Sequence, residues 1–510
     1  MPHPSTPILV GGGQKTWRVT PEDMPTALEM IEEAARLALA DAGVGAEALD
    51  TVATIEFTID APFFKDMGIP KPKNSATGLA RVLGQADAYT IQCDGPGGNS
   101  PQQMINHIAE NIARGDVGLA VISGAEFLNN YWTLVQSGAP MDHWRTDDPE
   151  PDEKIGESRD GESAIEQANG MERPTNVYPL IENAIRAERG ATVAEHLASM
   201  GRLMAPFTKV AATNPYAWFP VERSASEIAT EGPKNRMVGF PYTKYMNAIM
   251  RVDMAAAVVL TSVGKARELG IPEDRWVYLH GCGDAKDIWN VTERPELTRS
   301  PAIAGCWQRA SAMAGIDVAD LNYIDLYSCF PSAVEIACRE IGLAEDDARG
   351  LTVTGGLPYF GGPGNNYAMH SVVTMLGKLR ADPGSYGLCT ANGWYVTKHS
   401  LGIYSTKPVE GEWSREDPKV LQAELDAGPR VEVAEKPEGK GTVESSTLVY
   451  GREGPMMGIV IGRLDDGRRF VAKPDMNEKT IAALRADDSA GRTGTVKPKG
   501  EGLKNRFTFD

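Results

Sequence analysis

Two duplicated α/β halves followed by a small β-barrel form the architecture this sequence predicts, and three observations carry it. Apolar strand-like segments alternate with segments of helical spacing through about Tyr404. A glycine-rich turn, with the helix and strand that follow it, recurs 267 positions downstream. After about Ser405 the texture changes to an acidic stretch and then to short strand-like runs.

The first half opens with a strand, Pro7 to Gly12, that runs into glycines, followed by helical spacing from Pro25 to Ala42. Candidate helices at Ser100 to Arg114 and Val193 to Leu203 alternate with candidate strands at Gly118 to Ser123 and Ala255 to Thr261, a sheet covered by helices. His143 to Ser163 is acidic and contains Pro149 and Pro151, which predicts an exposed loop or insertion. The expected division is 1–262 with an insertion at about 143–240, then 263–404, then 405–510.

The internal match sets Gly95-Pro96-Gly97-Gly98-Asn99 against Gly362-Pro363-Gly364-Asn365-Asn366 without a gap downstream. At that offset Ile105, Ile108 and Ile112 fall on Val372, Met375 and Leu379, an apolar helical face after each turn. Strands are then predicted at Val117 to Gly124 and Ser385 to Asn392. In the last region Thr442 to Tyr450 and Pro455 to Arg463 read as strands, and Asp466-Gly467 as a tight hairpin turn.

A chain of 510 residues exceeds one core, and 42% apolar with 24% charged residues is a globular composition. The net charge of -18 repels phosphate backbones and argues against nucleic-acid binding. Six cysteines without Cys-Xaa-Xaa-Cys spacing imply neither a disulfide framework nor a zinc site, and no metal is expected. No leader-like N-terminus is read, and the best apolar run, Met254 to Val263, is about half a bilayer span. A cytoplasmic protein is the expectation.

The run Gly11-Gly12-Gly13 lacks the spacing of a dinucleotide or phosphate loop. Cys93 to Pro101 is more informative, because it places a thiol and a hydroxyl on the turn entering a helix. Ser100 with Pro101 reads as an N-cap and a first-turn proline. A helix start offers free N–H groups and partial positive charge that lower a thiol's pKa or hold a thioester oxygen. Against this stands the reading in which Ser100 only caps and Cys93 only packs. Gly98 to Gln102 nearly matches a serine nucleophile elbow but lacks the closing glycine. In the second half Tyr327, His370 and Cys389 supply the phenol, imidazole and thiol that acyl transfer requires.

From Pro7 to Tyr404 the order of motifs resembles the thiolase superfamily. Gly98 to Pro101 falls at that family's nucleophile motif, Gly124-Ala125-Glu126 at its Gly-Xaa-Glu strand end, and Asp253 to Ala257 at its Asp-Gly-Ala-Ala-Ala strand. Tyr327 to Phe330 falls at Asn-Glu-Ala-Phe, Gly361-Gly362-Pro363 at Gly-His-Pro, and Cys389-Thr390-Ala391 at Cys-Xaa-Gly. The resemblance implies a duplicated five-layer α/β fold of two βαβ-type halves. With the appended domain it is nearest to thiolase-like proteins of type 1, whose extra domain is an oligonucleotide/oligosaccharide-binding-like barrel, often labelled acetyl-CoA acetyltransferases.

The departures bear most on function: Gly98 stands at the nucleophile's place, Gly362 at the activating histidine's and Tyr327 at the oxyanion residue's. The resemblance therefore implies an acyl-CoA substrate but no acyl-cysteine. Candidate catalytic residues are Cys389, Tyr327, His370 and Cys93, with Gly98, Asn99, Ser100, Gly362, Asn366 and Asn392 around the substrate. The expected function is making or breaking a carbon–carbon bond beside a thioester carbonyl, and the alternative is a non-catalytic acyl-CoA-binding or scaffold protein of lipid metabolism. The resemblance implies a possible homodimer through the sheet edges, but an added domain can block that surface, so the oligomeric state stays open.

Overall fold

In this computed structural model, which describes residues 2–61, 68 and 70–510, two half-sheets join edge to edge. In the first lobe Thr51–Ile55 runs parallel to Tyr89–Cys93 and to Leu119–Phe127. Leu119–Phe127 is antiparallel to Asp253–Ser262, which is antiparallel to Pro7–Thr16. The second lobe repeats the pattern: Tyr323–Asp325 is parallel to Tyr386–Gly393, followed by antiparallel Lys398–Ser405 and Val277–Lys286. The lobes meet where Ile8 pairs with Tyr278 and Leu9 with Val277.

Both sheet faces are covered, which is why these strands read as near-continuous apolar runs. Along Pro7–Thr16, Ile8 and Val10 enter an outer core with the helix Ala27–Ala42, while Leu9 enters an inner core. The inner core holds two central helices, Ser100–Arg114 and Tyr367–Ala381. Ile105, Ile108 and Ile112 of one share a cluster with Val372, Met375 and Leu379 of the other. Burying such side chains is worth roughly 1.5–3 kcal/mol each, so this face binds the lobes together. Pro301–Ala314 and Pro331–Ile341 cover the far side of the second half-sheet, which completes the five layers.

The repeat holds to the residue. The central helices start at Ser100 and Tyr367 and end at Arg114 and Ala381, and the strands after them start at Leu119 and Tyr386. The Gly11 to Gly13 run has a packing role: a Cβ on Gly13 would lie 2.5 Å from the Ala38 backbone nitrogen, so glycine lets the first helix sit close on the strand.

Two expectations need correction. Within His143 to Ser163, Trp144 is buried and Glu153–Ile155 adds an edge strand parallel to Tyr89–Cys93. Asp152 fixes that edge by accepting from the Thr90 N–H at 2.8 Å and its hydroxyl at 2.7 Å, so the acidic stretch is partly sheet. The helix expected to end at Leu203 continues to Thr213, with Pro206 inside it, because Met204, Phe207 and Ala211 on its apolar face are buried.

Helices Pro174–Glu188 and Val193–Thr213 lie between the lobes and the C-terminal domain. That domain is a closed barrel in which Gly439–Tyr450 pairs with both Pro455–Leu464 and Thr493–Pro498, with Arg469–Pro474 and Asn505–Phe509 completing the ring. Asp466-Gly467 makes the predicted turn, where the Gly467 N–H donates to the Leu464 carbonyl at 3.0 Å. The Asn183 amide donates to Ser446 and Phe240 carbonyls, and Gly239 pairs with Val449, so the inserted segment is fastened to the barrel. Among the described residues no helix is long and apolar enough to cross a membrane.

Candidate functional site

The two glycine turns meet at the centre of the molecule. The Gly97 N–H donates to Asn365 Oδ1 at 2.8 Å, and the Asn365 amide donates to the Glu56 carbonyl at 2.8 Å. Glu126, at the end of the strand Leu119–Phe127, accepts from the Asn365 N–H at 3.1 Å and from the Thr58 N–H at 2.8 Å. First-lobe and second-lobe loops are thereby hydrogen-bonded into one buried unit.

Each residue 98 side chain larger than hydrogen is excluded by the other lobe. A Cβ on Gly98 would fall on the Tyr327 hydroxyl and lie 2.5 Å from its Cζ and 2.7 Å from the Asn392 carbonyl oxygen. One residue earlier, a Cβ on Gly97 would lie 2.8 Å from Lys398 Nζ. The Lys398 amine donates to the Pro96 carbonyl at 2.7 Å. A phenol and an amine from the second lobe thus stand over two successive glycines of the first.

Their surroundings fix their protonation. Burial raises the Tyr327 pKa well above that of a free phenol, helped by the nearby Cys329 and Glu126 groups, so it stays a hydrogen-bond donor. Burial pulls Lys398 down to about 8, against the opposing pull of Cys93, Glu56 and Glu157. Burial pushes Glu56, whose carboxylate accepts the Gly95 N–H at 2.6 Å, up to about 7. The same cause raises Glu126 to about 7.

Cys93 lies beside this group, but burial pushes its thiol up to about 11, although the Ser100 hydroxyl and the Lys398 charge pull the other way. The expectation that the helix start lowers this thiol's pKa is overturned, because desolvation outweighs the N-terminal field. Ser100 is not the N-cap either. Its N–H donates to the Gly97 carbonyl at 3.0 Å, so the helix begins at Ser100 and Asn99 takes the cap position without a side-chain bond. Gly362 lies nearby with its N–H donating to the Ile249 carbonyl at 3.0 Å, and a Cβ there would meet Ala248 and Ile249 at 3.4 Å.

Other candidates sit apart from the Gly98–Tyr327 contact. Cys389 pairs across the sheet with the buried Asp325, and burial together with that neighbour pushes its thiol far up. It is Asn392, three residues on, whose carbonyl reaches Gly98, while its amide donates to the Tyr178 hydroxyl at 2.9 Å. The His370 Nδ1 meets Gln14 Oε1 at 2.9 Å, and burial drops its pKa to about 3, so it is neutral and held in place. Asn366 bridges strands by donating to the Gly124 carbonyl at 2.6 Å. All six cysteines are buried and unpaired.

Two spaces adjoin the site. A cavity of about 20 Å³ beside Tyr327, Thr390 and Asn392 has room for about one water. An open cleft of about 500 Å³ reaches Asn99, Gln103 and Lys398 from the surface, with Lys286 and Glu157 at its side. Lys398 and Glu56 were missed by sequence reasoning. The available signal for Lys398 was a single lysine opening the strand Lys398–Ser405, which has no acidic residue to pair with it.

Known proteins resemble all or part of this chain. The model for the thiolase-like protein type 1 additional C-terminal domain matches residues 420–501. The crystal structure of a monomeric SCP2-thiolase-like protein type 1 from Mycobacterium smegmatis shares 37% identity, covers 100% of both chains and has a TM-score of 0.85. Acetyl-CoA acetyltransferase 1 of Arabidopsis thaliana is 34% identical over 151 residues, which span 29% of this chain and only 33% of that protein. A steroid side-chain-cleaving aldolase of Thermomonospora curvata is 24% identical over 338 residues, 65% of this chain and 76% of that one. With the duplicated thiolase-like lobes, the closed barrel and full-length likeness at this identity, the chain belongs to the thiolase-like protein type 1 family.

Proposed function

We propose that this chain binds an acyl-CoA with its thioester carbonyl over the Gly97–Gly98 turn and cleaves a carbon–carbon bond beside that carbonyl without an acyl-cysteine. The observation that carries this reading is the Tyr327 hydroxyl filling the place of a side chain at position 98. A thiol has no room there, so chemistry that depends on a fixed nucleophile is replaced by chemistry that depends on enolate stabilisation.

Retro-aldol cleavage of a 3-hydroxyacyl thioester uses the groups present. Near pH 8 about half of Lys398 is neutral amine. That amine takes the hydroxyl proton, the bond between the two carbons breaks to release a carbonyl product, and its electron pair forms the thioester enolate. The Tyr327 phenol hydrogen-bonds the enolate oxygen, and the lysine ammonium returns the proton to carbon. The cleft of about 500 Å³ is the expected entrance for the pantetheine arm. The likeness to a steroid side-chain-cleaving aldolase supports a lyase over an acyltransferase. The likeness to a monomeric relative favours a monomer over the superfamily's homodimer.

Turnover of a panel of 3-hydroxyacyl-CoA and 3-ketoacyl-CoA thioesters tests the reading. Lys398→Met and Tyr327→Phe are each expected to lower kcat by about 10²- to 10⁴-fold. No turnover of any thioester by the unmodified chain overturns it. Calorimetric binding of CoA thioesters without turnover then favours the second reading, a non-catalytic acyl-CoA-binding or scaffold protein. The small size of the cavity beside Tyr327 speaks for that reading, since an acyl carbonyl enters only if the turns part.

A further inference from the structure

Away from the two turns, a second buried polar cluster joins the inserted helices to the second lobe. Glu182 comes from Pro174–Glu188, His196 from Val193–Thr213 and Glu335 from Pro331–Ile341, and none is more than 3% exposed. One donor atom from each lies within 4.8 Å of the others. His196 Nε2 faces Glu182 Oε1, and the Tyr242 hydroxyl donates to Glu182 Oε2 at 2.5 Å. The Glu182 and Glu335 carboxyl groups lie within hydrogen-bonding reach of each other.

Two atoms of this cluster have no partner: Glu335 Oε2 and His196 Nδ1. Arg189 reaches only the other Glu335 oxygen, at 3.1 Å. Two carboxyl groups turned toward each other in a dry interior share either a proton or a cation, and the bare Glu335 oxygen is a place where a cation would sit. Nothing in the chemistry proposed at the glycine turns uses these residues.

We propose that Glu182, His196 and Glu335 hold one divalent transition-metal ion, zinc in class, which ties the inserted helices to the second lobe. One imidazole nitrogen with two carboxylate oxygens is a donor set that zinc accepts at about 2.0–2.2 Å, with the Tyr242 oxygen or a water as fourth ligand. Donors around such an ion stand roughly 3–4 Å apart, so the three side chains need only small rotations. Magnesium is disfavoured by the nitrogen donor and by its hold on several waters. The cysteine spacing that implied no zinc site has no bearing here, because the ligands are not cysteines and come from three separate helices.

The test uses the full chain with Zn²⁺ alone. Metal content is measured by mass spectrometry as purified; the protein is then stripped with EDTA and titrated with Zn²⁺ by calorimetry. The expected result is one equivalent bound, a higher Tm with Zn²⁺ than with EDTA, and at least tenfold weaker binding in Glu335→Gln and His196→Gln, each checked for fold by circular dichroism. X-ray absorption at the zinc edge of the unmodified chain keeps the idea testable if the variants do not fold, and is expected to show nitrogen and oxygen ligands with one imidazole. Failure of the unmodified chain to bind Zn²⁺, sulfur among the ligands, or undiminished binding in both folded variants overturns the proposal.

Discussion

At Gly97 the space for a side chain is taken by the Lys398 amine; at Gly364, the same position in the second copy, it is taken by the Glu126 carboxylate and the Thr58 hydroxyl. The helix and strand after each turn are repeated to the residue, yet each turn is met from the opposite lobe, one by a cation and the other by an acid. Duplication preserved the place of the turn and the helix after it, while its backbone, with φ of 159° at Gly97 and 41° at Gly364, and the charge laid on it diverged. The first turn, with a phenol, an amine of tuned pKa and a cleft beside it, is the one the proposed chemistry uses. The second, whose carboxylate binds backbone N–H groups of Thr58 and Asn365, is equipped to hold the lobes together.

Substitutions at the turns give the strongest way to break this contrast. Gly364→Ala should be the most damaging, because its Cβ overlaps Thr58 and Glu126 and its φ of 41° disfavours any side chain. A loss of about 3 kcal/mol or more is expected in urea denaturation. Gly98→Cys, which restores a thiol, should cost about 1–3 kcal/mol, and Tyr327→Asn in the same chain should recover part of it. Additive effects of those two changes would show that the phenol does not occupy that space.

Next in size is Asn365→Ala, which removes the hydrogen bonds to Gly97 and Glu56 that cross between lobes. A loss of about 1–3 kcal/mol is expected, from groups left buried without partners.

Acid–base behaviour sharpens the contrast further. Lys398 falls from 10.5 to about 8 on folding, so the unfolded chain binds more protons between those values and stability should rise as pH climbs from 8 to 10.5. Glu126 rises from 4.5 to about 7, so the folded chain binds more protons there and stability should rise as pH falls from 7 to 4.5. Thermal melts across pH should show Lys398→Met lessening the slope of the basic limb alone and Glu126→Gln lessening that of the acidic limb alone, where Glu56 still contributes. The smallest effect is expected from Gly362→Ala, whose Cβ finds ordinary contacts at 3.4 Å. Its Tm should move by a few degrees at most.

The layered α/β architecture, the repeat and the barrel were legible because each rests on local signals. Apolar spacing in Ser100 to Arg114 and Tyr367 to Ala381 fixes which face is buried, and the glycine turns mark where each helix begins. The edge strand Glu153–Ile155 was not legible, since Glu153 and Lys154 are charged and its place depends on the neighbouring strand Tyr89–Cys93. The site was legible in part. Gly98 and Tyr327 were both singled out as departures from the thiolase pattern, but their contact over 229 positions of chain was not visible.

What the sequence by itself determined, then, is the periodic and the turn-bound: layers, repeat, barrel strands, and the absence of a thiol at position 98. What only the tertiary structure decided is protonation and proximity. Cys93 is a poor nucleophile, His370 is neutral and Lys398 titrates near 8 because burial strips water from each of them. Desolvation is set by everything packed around a group, and those neighbours come from both lobes, so no local stretch of sequence encodes it.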